Sequence, residues 1–321
     1  RGIEPLPNLE FKFVTANTLI SLDEGKKGGM MAFDFGETTE LQNQLQQLRN
    51  TYLQASPQEK ENLKQQFEKL QTQIYKNELK AGGQNKRAQQ LAAWKPFSNE
   101  SSSWFDPDWM FGVEKFDVVI GNPPYVDSET MVLRDKSFRN YLKDSYDFAD
   151  GNWDLFIVFI EKGLKLTKEN GLFSYIVPNK LISAKYGDKA RRKFNQLDLI
   201  ELRDYSRINV FVTADVYPIT FMLSNSKNNI SSNFVIMKDL IEIKELNSVK
   251  LSDYEEDTLW DKYFYESQTL SLLLKLNSFD KIKNFGATVT GAATVGEAYL
   301  VKEKLLDNQN LKDSFKLINT G

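Results

Sequence analysis

The sequence predicts an α/β protein, a layered core of sheet and helices that carries an inserted α-helical hairpin. Three observations carry this reading. From residue 116 onward, apolar runs of strand length alternate with segments of helical periodicity. Residues 40–80 hold two successive stretches with apolar side chains at i, i+4, i+7 and i+11. The 321 residues, 41% hydrophobic and 26% charged, supply enough apolar surface for a sizeable core without cross-links.

Taken in order, Phe11 to Val14 form an aromatic and branched run interrupted by Lys12, which meets Asn17-Thr18 and suits a short strand ending in a polar loop. Leu41, Leu45, Leu48 and Tyr52 then mark one face of an amphipathic helix whose other face is rich in glutamine. Ser56-Pro57-Gln58-Glu59 offers an N-cap serine, a proline in the first helical position and the glutamate of a capping box. Leu63, Phe67, Leu70 and Ile74 continue that second helix up to Gly82-Gly83. Two such helices joined by a short turn bury their apolar seams against each other.

Further on, Phe116 to Ile120 read as a buried strand that runs into Gly121-Asn122-Pro123-Pro124-Tyr125, where two prolines end it. Leu155, Phe156, Phe159, Ile160, Leu164 and Leu166 have helical spacing, and Asn170-Gly171 is expected to stop that helix before a strand from Leu172 to Val177. Pro178-Asn179 closes the strand. Asp188 to Phe194 reads as helix, Leu199 to Tyr205 as strand, and Tyr217 to Leu223 as strand after a polar turn with Thr213 and Asp215. This alternation predicts a largely parallel sheet with ligand loops beyond the carboxyl ends of its strands. The Asn-Pro-Pro-Tyr loop lies at such an end.

Composition narrows the chemistry. The chain has no cysteine and no histidine, so disulfide frameworks, thiolate or imidazole metal sites and histidine-based triads are excluded from it, and no metal site is expected. A net charge of -3 excludes a generic polyanion binder, although a local basic patch remains compatible with phosphate contact. The run Lys185, Lys189, Arg191, Arg192 and Lys193 is such a patch, or else a solvated helix face. Residues 1–7 show no signal-peptide pattern and no apolar run reaches membrane-spanning length, so a cytoplasmic protein without membrane contact is expected.

A specified tetrapeptide arises by chance in a chain of this length in roughly 0.2% of cases. Strand plus Asn122-Pro123-Pro124-Tyr125 resembles the catalytic loop of S-adenosylmethionine-dependent amino methyltransferases, above all those that modify N6 of adenine in DNA. The step such enzymes perform sets clear requirements. The lone pair of an exocyclic purine amine is delocalised into the ring, so the nitrogen attacks a methyl sulfonium poorly until it is pushed toward tetrahedral geometry. The side-chain oxygen of Asn122 and the main-chain carbonyl of Pro123 can each accept one N–H, and the rigid proline pair holds both acceptors in place beforehand. Tyr125 supplies a flat ring on which a base that has left its stack can lie.

Downstream, Gly151-Asn152-Trp153-Asp154-Leu155-Phe156 with Phe159, followed by Gly171 to Pro178, is similar to the helix and strand after that loop in these methyltransferases. The resemblance implies that Leu155 and Phe159 lie against the cofactor adenine; plain core packing is their alternative role. Asn209-Val210-Phe211 ahead of Tyr217-Pro218 resembles the segment whose phenylalanine touches the flipped base at its edge, which implicates Phe211, again with core packing as the alternative. Asn17-Thr18-Leu19 resembles the polar loop that recognises the cofactor amino group, which would make Asn17 cofactor-binding, although ordinary turn chemistry also accounts for it.

The glycine-rich loop that cradles the methionine half of the cofactor has no counterpart, because no Gly-x-Gly occurs in the chain. The acidic residue expected at the cofactor ribose also has no match. With the lack of an initiating methionine and a last stretch, Phe315 to Gly321, that stops after apolar residues, this leads to the expectation of a segment of a longer parent enzyme. By itself the segment should bind S-adenosylmethionine weakly or not at all. The strands that would lie between Val14 and Val118 should be missing, leaving exposed sheet edges or a rearranged sheet.

The inserted hairpin, Trp104-Phe105-Asp106-Pro107 and the turn-rich residues Gly286, Thr288, Thr290, Gly291, Thr294 and Gly296 look like the large single-chain type II (type IIG-like) restriction-modification enzymes. The expected organisation is a methyltransferase remnant in 1–36, the hairpin in 37–95, a partial Rossmann-like methyltransferase core in 96–280 and the start of a target-recognition domain in 281–321. Double-stranded DNA is the expected partner. Two alternatives remain open: a release-factor-type glutamine methyltransferase, whose carboxamide presents the same delocalised nitrogen, and a non-catalytic module for DNA recognition or assembly.

Overall fold

The computed structural model describes residues 13–24, 35–80, 85–98, 100–211, 217–251, 259–276 and 279–280. The hairpin forms as α1 (Phe35–Gln54) and α2 (Pro57–Lys80). Its turn uses the expected residues with Glu59 as the acceptor: the Glu59 carboxylate takes hydrogen bonds from the Ser56 N–H at 2.9 Å and the Ser56 hydroxyl at 2.7 Å. These bonds hold the Glu59 carboxyl below the usual carboxylate range. Leu45, Tyr52, Phe67 and Ile74 all point into one apolar cluster, which also takes in Ala88 and Leu91 of α3 (Lys86–Ala93) together with Trp94, Trp104, Trp109 and Met110. The short α3 is secured from outside. Gln71 of α2 donates to the carbonyls of Leu91 at 2.8 Å and Trp94 at 2.6 Å, which satisfies acceptors a helix end leaves open.

After α4 (Pro107–Phe111) comes the core layer: β1 (Phe116–Gly121), α5 (Ser128–Ser145), α6 (Phe156–Leu166), β2 (Thr167–Pro178), α7 (Lys180–Ser183), α8 (Asp188–Asn195), β3 (Asp198–Asp204), β4 (Pro218–Ser224), β5 (Ser232–Met237) and β6 (Ile243–Val249). The α/β class is as the sequence predicts. The sheet order is β1-β2-β4-β3-β5-β6. The expectation of a largely parallel sheet is corrected: β1/β2 and β3/β5 are parallel, whereas β2/β4, β3/β4 and β5/β6 are antiparallel. Helical crossovers make β1, β2 and β3 run the same way, and β4 then returns from β3 and inserts between β2 and β3. Such an insertion is set by pairing partners distant in sequence, which local periodicity does not encode.

Two other expectations change. Asn170-Gly171 does not separate helix from strand; α6 runs directly into β2 at Thr167. The pair instead forms an irregularity in β2, where register jumps from Phe116↔Thr167 to Val118↔Leu172 and Asn170 takes φ 60°. The short strand expected over Phe11 to Val14 does not form at Phe13 and Val14, and Phe11 and Lys12 lie outside the described residues. The polar loop beyond makes only single parallel bridges, Ala16↔Ser102 and Ser21↔Phe105.

β1 lies at one end of the sheet order, with Val118 52% and Ile120 76% exposed. Phe116 to Ile120 is therefore a strand, as expected, but one of its faces is open rather than buried. On the other face α6 approaches β2 so closely that a Cβ on Gly163 would fall on the Phe173 ring, and only glycine fits there. Residues 268–321 constitute a separate unit, described only for α9 (Ser267–Leu276) and residues 279–280, so the turn-rich stretch from Gly286 lies outside the described residues. Among the described residues, no helix is long and apolar enough to cross a membrane.

Candidate active site

The Asn-Pro-Pro-Tyr loop emerges where β1 stops. Gly121 is paired with Tyr175 of β2, and a Cβ at that position would lie 2.7 Å from the Tyr175 ring, so glycine lets the strand end pass under the aromatic side chain. Pro123 and Pro124 have no N–H to continue the ladder. The far end of the loop is fixed by Asp127, which caps α5 by accepting from the Thr130 N–H at 2.7 Å. A strand pair on one side and a helix cap on the other thus hold five residues between them.

Within the loop Pro123 is buried, Tyr125 half-buried, and Asn122 and Pro124 exposed. The Asn122 carboxamide makes no hydrogen bond within the protein, so both its polar atoms are open to a ligand. The Tyr125 ring meets Phe211 with centroids 6.4 Å apart and planes at 80°. The Tyr125 hydroxyl is buried without a partner, and burial pushes its pKa up to about 12, which keeps the phenol neutral. Thr213 and Asp215, in the turn after Phe211, lie outside the described residues.

The other candidates gather behind this loop. Leu19, Met131, Leu142, Tyr146, Ala149, Trp153 and Val158 form a buried apolar cluster. Val126, the residue after Tyr125, packs against it together with Leu155 and Phe159. The Leu155 N–H also donates to the Val126 carbonyl at 2.8 Å, which ties the start of α6 to the loop. Along α6, Phe156, Ile157, Val158 and Ile160 are fully buried, whereas Leu155 and Phe159 keep partial exposure one turn apart.

Asn17 reaches the same cluster through Leu19, whose carbonyl accepts from the Tyr146 hydroxyl at 2.8 Å. Its own N–H donates to the Ser102 carbonyl at 2.9 Å, and its side-chain oxygen accepts from the Leu19 N–H at 3.2 Å. Turn chemistry therefore accounts for one lone pair of that oxygen and leaves a second. Leu19 of the Asn17 loop, Val126, Leu155 and Phe159 thus meet in one cluster although they are far apart in the chain.

The basic run is mostly spent internally. Arg191 is buried and donates to the carbonyls of Leu181 and Ala184, Arg192 pairs with Asp188 at 2.7 Å, and Lys189 pairs with Asp150 at 3.2 Å. The solvated-helix reading fits the described geometry better than a phosphate patch.

Sequence reading missed two groups. Arg139 of α5 donates to the Ser128 hydroxyl at 3.0 Å and the Gly151 carbonyl at 3.3 Å, with its guanidinium 5.1 Å from the Trp153 ring centroid. Asp154 is buried and accepts from Lys180 and from Tyr186, both at 2.9 Å. The available signal was an aspartate directly before an apolar helix, which reads as a cap. Its side chain does not cap α6 but turns to partners 26 and 32 residues away.

A family model described as Eco57I restriction-modification methylase matches residues 15–211, more than half of the chain. The chain is similar to the type II restriction enzyme and methyltransferase RM.Eco57I of Escherichia coli, with 26% identity over 60% of this chain and 20% of the relative. It is also similar to the type II methyltransferase M.BstVI of Geobacillus stearothermophilus, with 25% identity over 51% of this chain and 31% of the relative. The chain thus spans about a fifth and just under a third of these relatives. Among solved structures, the type IIG restriction endonuclease BpuSI aligns with a TM-score of 0.34 and 14% identity over 68% of this chain and 31% of that one.

Proposed function

Because the chain belongs to the Eco57I restriction-modification methylase family, we propose that Asn122 to Tyr125 receive an adenine flipped out of double-stranded DNA, whose N6 the parent enzyme methylates. One observation carries this reading: a fixed loop at a strand end presents an unengaged carboxamide beside a rigid proline pair and a perpendicular aromatic pair. The Asn122 oxygen and the Pro123 carbonyl accept the two N–H groups of the amine, which localises the nitrogen lone pair and aims it away from the acceptors. Tyr125 stacks on the base, and Phe211, at right angles to Tyr125, meets its edge. Once methylated, the nitrogen is cationic and strongly acidic, so water removes its proton and no histidine is needed.

S-adenosylmethionine supplies an electrophilic methyl group on a sulfonium. Residues for its adenosine half fit: the partly exposed Leu155 and Phe159 form an apolar wall, and Asn17 retains an acceptor lone pair. No residues of this chain offer a glycine-rich cradle for its methionine half. Under this reading the chain by itself gives no turnover and only weak cofactor binding. The proposed division is 1–36, 37–95, 96–280 and 281–321, its last boundary lying within the separate unit 268–321, and the open edge of β1 is where further strands of the core add.

The test is product identification. DNA incubated with the parent enzyme and methyl-labelled S-adenosylmethionine, then digested to nucleosides, should carry its label in N6-methyldeoxyadenosine. Label in 5-methyldeoxycytidine would overturn the reading, since that position is a carbon with no N–H for Asn122 and Pro123 to hold. Titration calorimetry of the 321-residue chain alone should show no micromolar cofactor binding.

A further inference from the structure

We infer that Asp154 is a positioning residue for methyl transfer, whose carboxylate, held by Lys180 and Tyr186, fixes the first turn of α6 against the Asn122–Tyr125 loop. The inference rests on the reading of that loop given above. Its starting point is that α6 lacks a side-chain cap: Leu155 stands at the N-cap position with no side-chain hydrogen bond. The first turn is therefore held from outside. One tie is the Leu155 N–H to the Val126 carbonyl at 2.8 Å, and Val126 is the peptide neighbour of Tyr125. The other is Asp154, immediately before Leu155.

The second tie is a buried carboxylate held by an exposed lysine and a partly buried tyrosine. Asp154 is 8% exposed, and its Oδ2 accepts from Lys180 Nζ and the Tyr186 hydroxyl, each at 2.9 Å. Replacing a buried ion pair by apolar side chains is often neutral for stability, so the pair is weak evidence of a stabilising role and a role in fixing geometry is the informative reading. Both donors lie on short elements that follow β2. Lys180 opens the four-residue α7, and Tyr186 sits in the single 3-10 turn Lys185–Gly187. Burial beside the Asp154 charge pushes the Tyr186 phenol upward, which keeps it a donor, and its ring packs edge-on to Phe156 at 6.2 Å.

Asp154 therefore joins α6, α7 and that turn at one oxygen. If it lets go, Leu155 and Phe159 shift relative to Val126 and hence relative to Tyr125. The two walls between which the methyl group must travel would lose their alignment while each stayed folded, and misplacement on the ångström scale is costly to a transfer reaction.

The experiment measures single-turnover methyl transfer, cofactor affinity and melting temperature in the parent enzyme carrying Asp154→Ala, Tyr186→Phe, or both. Each single change should slow transfer about tenfold with cofactor affinity held within about twofold. Tyr186→Phe, which keeps the ring, should melt with the unaltered enzyme. The double variant should be no slower than Asp154→Ala alone, because that change already removes the one bond that Tyr186→Phe deletes. Additive losses, a cofactor affinity that falls in step with rate, or an unaffected Tyr186→Phe would overturn the inference. If the unaltered enzyme transfers no methyl group, the proposed function fails, and the tie is then decided by hydrogen exchange at the Leu155 amide. Faster exchange in both variants supports it, and unchanged exchange overturns it.

Discussion

Asn122→Ala in the parent enzyme is expected to reduce methyl transfer by about a thousandfold, with cofactor affinity unchanged within about twofold. Removal of one preorganised polar partner of a reacting group typically costs about a hundredfold to a thousandfold, and the upper end applies here because no other side chain of the loop can replace the lost acceptor. The structure also says what should not happen. Asn122 is exposed and makes no hydrogen bond within the protein, so its truncation removes nothing that holds the fold. Stability should therefore stay within about 0.5 kcal/mol of the unaltered enzyme, as for surface positions generally. A parallel fall of transfer rate and cofactor affinity would instead mean that the substitution damaged the loop.

Tyr125 separates into two parts with opposite expectations. Stacking of a base on an aromatic ring contributes about 1–3 kcal/mol, so Tyr125→Ala should reduce transfer at low DNA concentration by about tenfold to a hundredfold. Tyr125→Phe keeps the ring and deletes a hydroxyl that is buried without a partner. Losing an unsatisfied buried group is neutral or favourable, so this variant should melt at the same temperature or higher and retain most of the transfer rate. Measuring both variants for DNA affinity and melting temperature checks the pair. A Phe variant as impaired as the Ala variant would show that the hydroxyl, and not the ring face, engages the substrate.

What the sequence made legible was local. The spacing of Leu45, Tyr52, Phe67 and Ile74 announced the hairpin, and all four side chains are buried. Pro123-Pro124 after an apolar run announced a strand end, because proline cannot donate to a ladder. What escaped was nonlocal or irregular. α5 was invisible because Val132 and Leu133 are exposed and Asp135 breaks its course with non-helical angles, which blurs any single apolar stripe. α3 is eight residues long and depends on Gln71 from another helix for its end. The place of β4 between β2 and β3 depends on pairings such as Tyr175↔Phe221 and Leu202↔Phe221, which leave no trace in either strand alone.

The same division holds at the site. Each candidate could be named from its own neighbourhood, but the fact that Val126, Leu155 and Phe159 pack on one cluster with Leu19 of the Asn17 loop is a property of the fold. The Asn17 loop and α6 reach that cluster through Leu19 and Val158, two ordinary aliphatic residues that no motif distinguishes. The Asp154 network was hidden for a related reason: its donors follow β2, on the opposite side of α6 in sequence.

The most direct measurement of the central claim is the structure of the parent enzyme bound to duplex DNA and an unreactive analogue of S-adenosylmethionine. The account predicts one adenine outside the helix, its N6 within hydrogen-bond distance, about 2.7–3.2 Å, of both the Asn122 side-chain oxygen and the Pro123 carbonyl, with the ring on Tyr125. An adenine still stacked in the duplex, or an N6 held by groups other than these two oxygens, would contradict it.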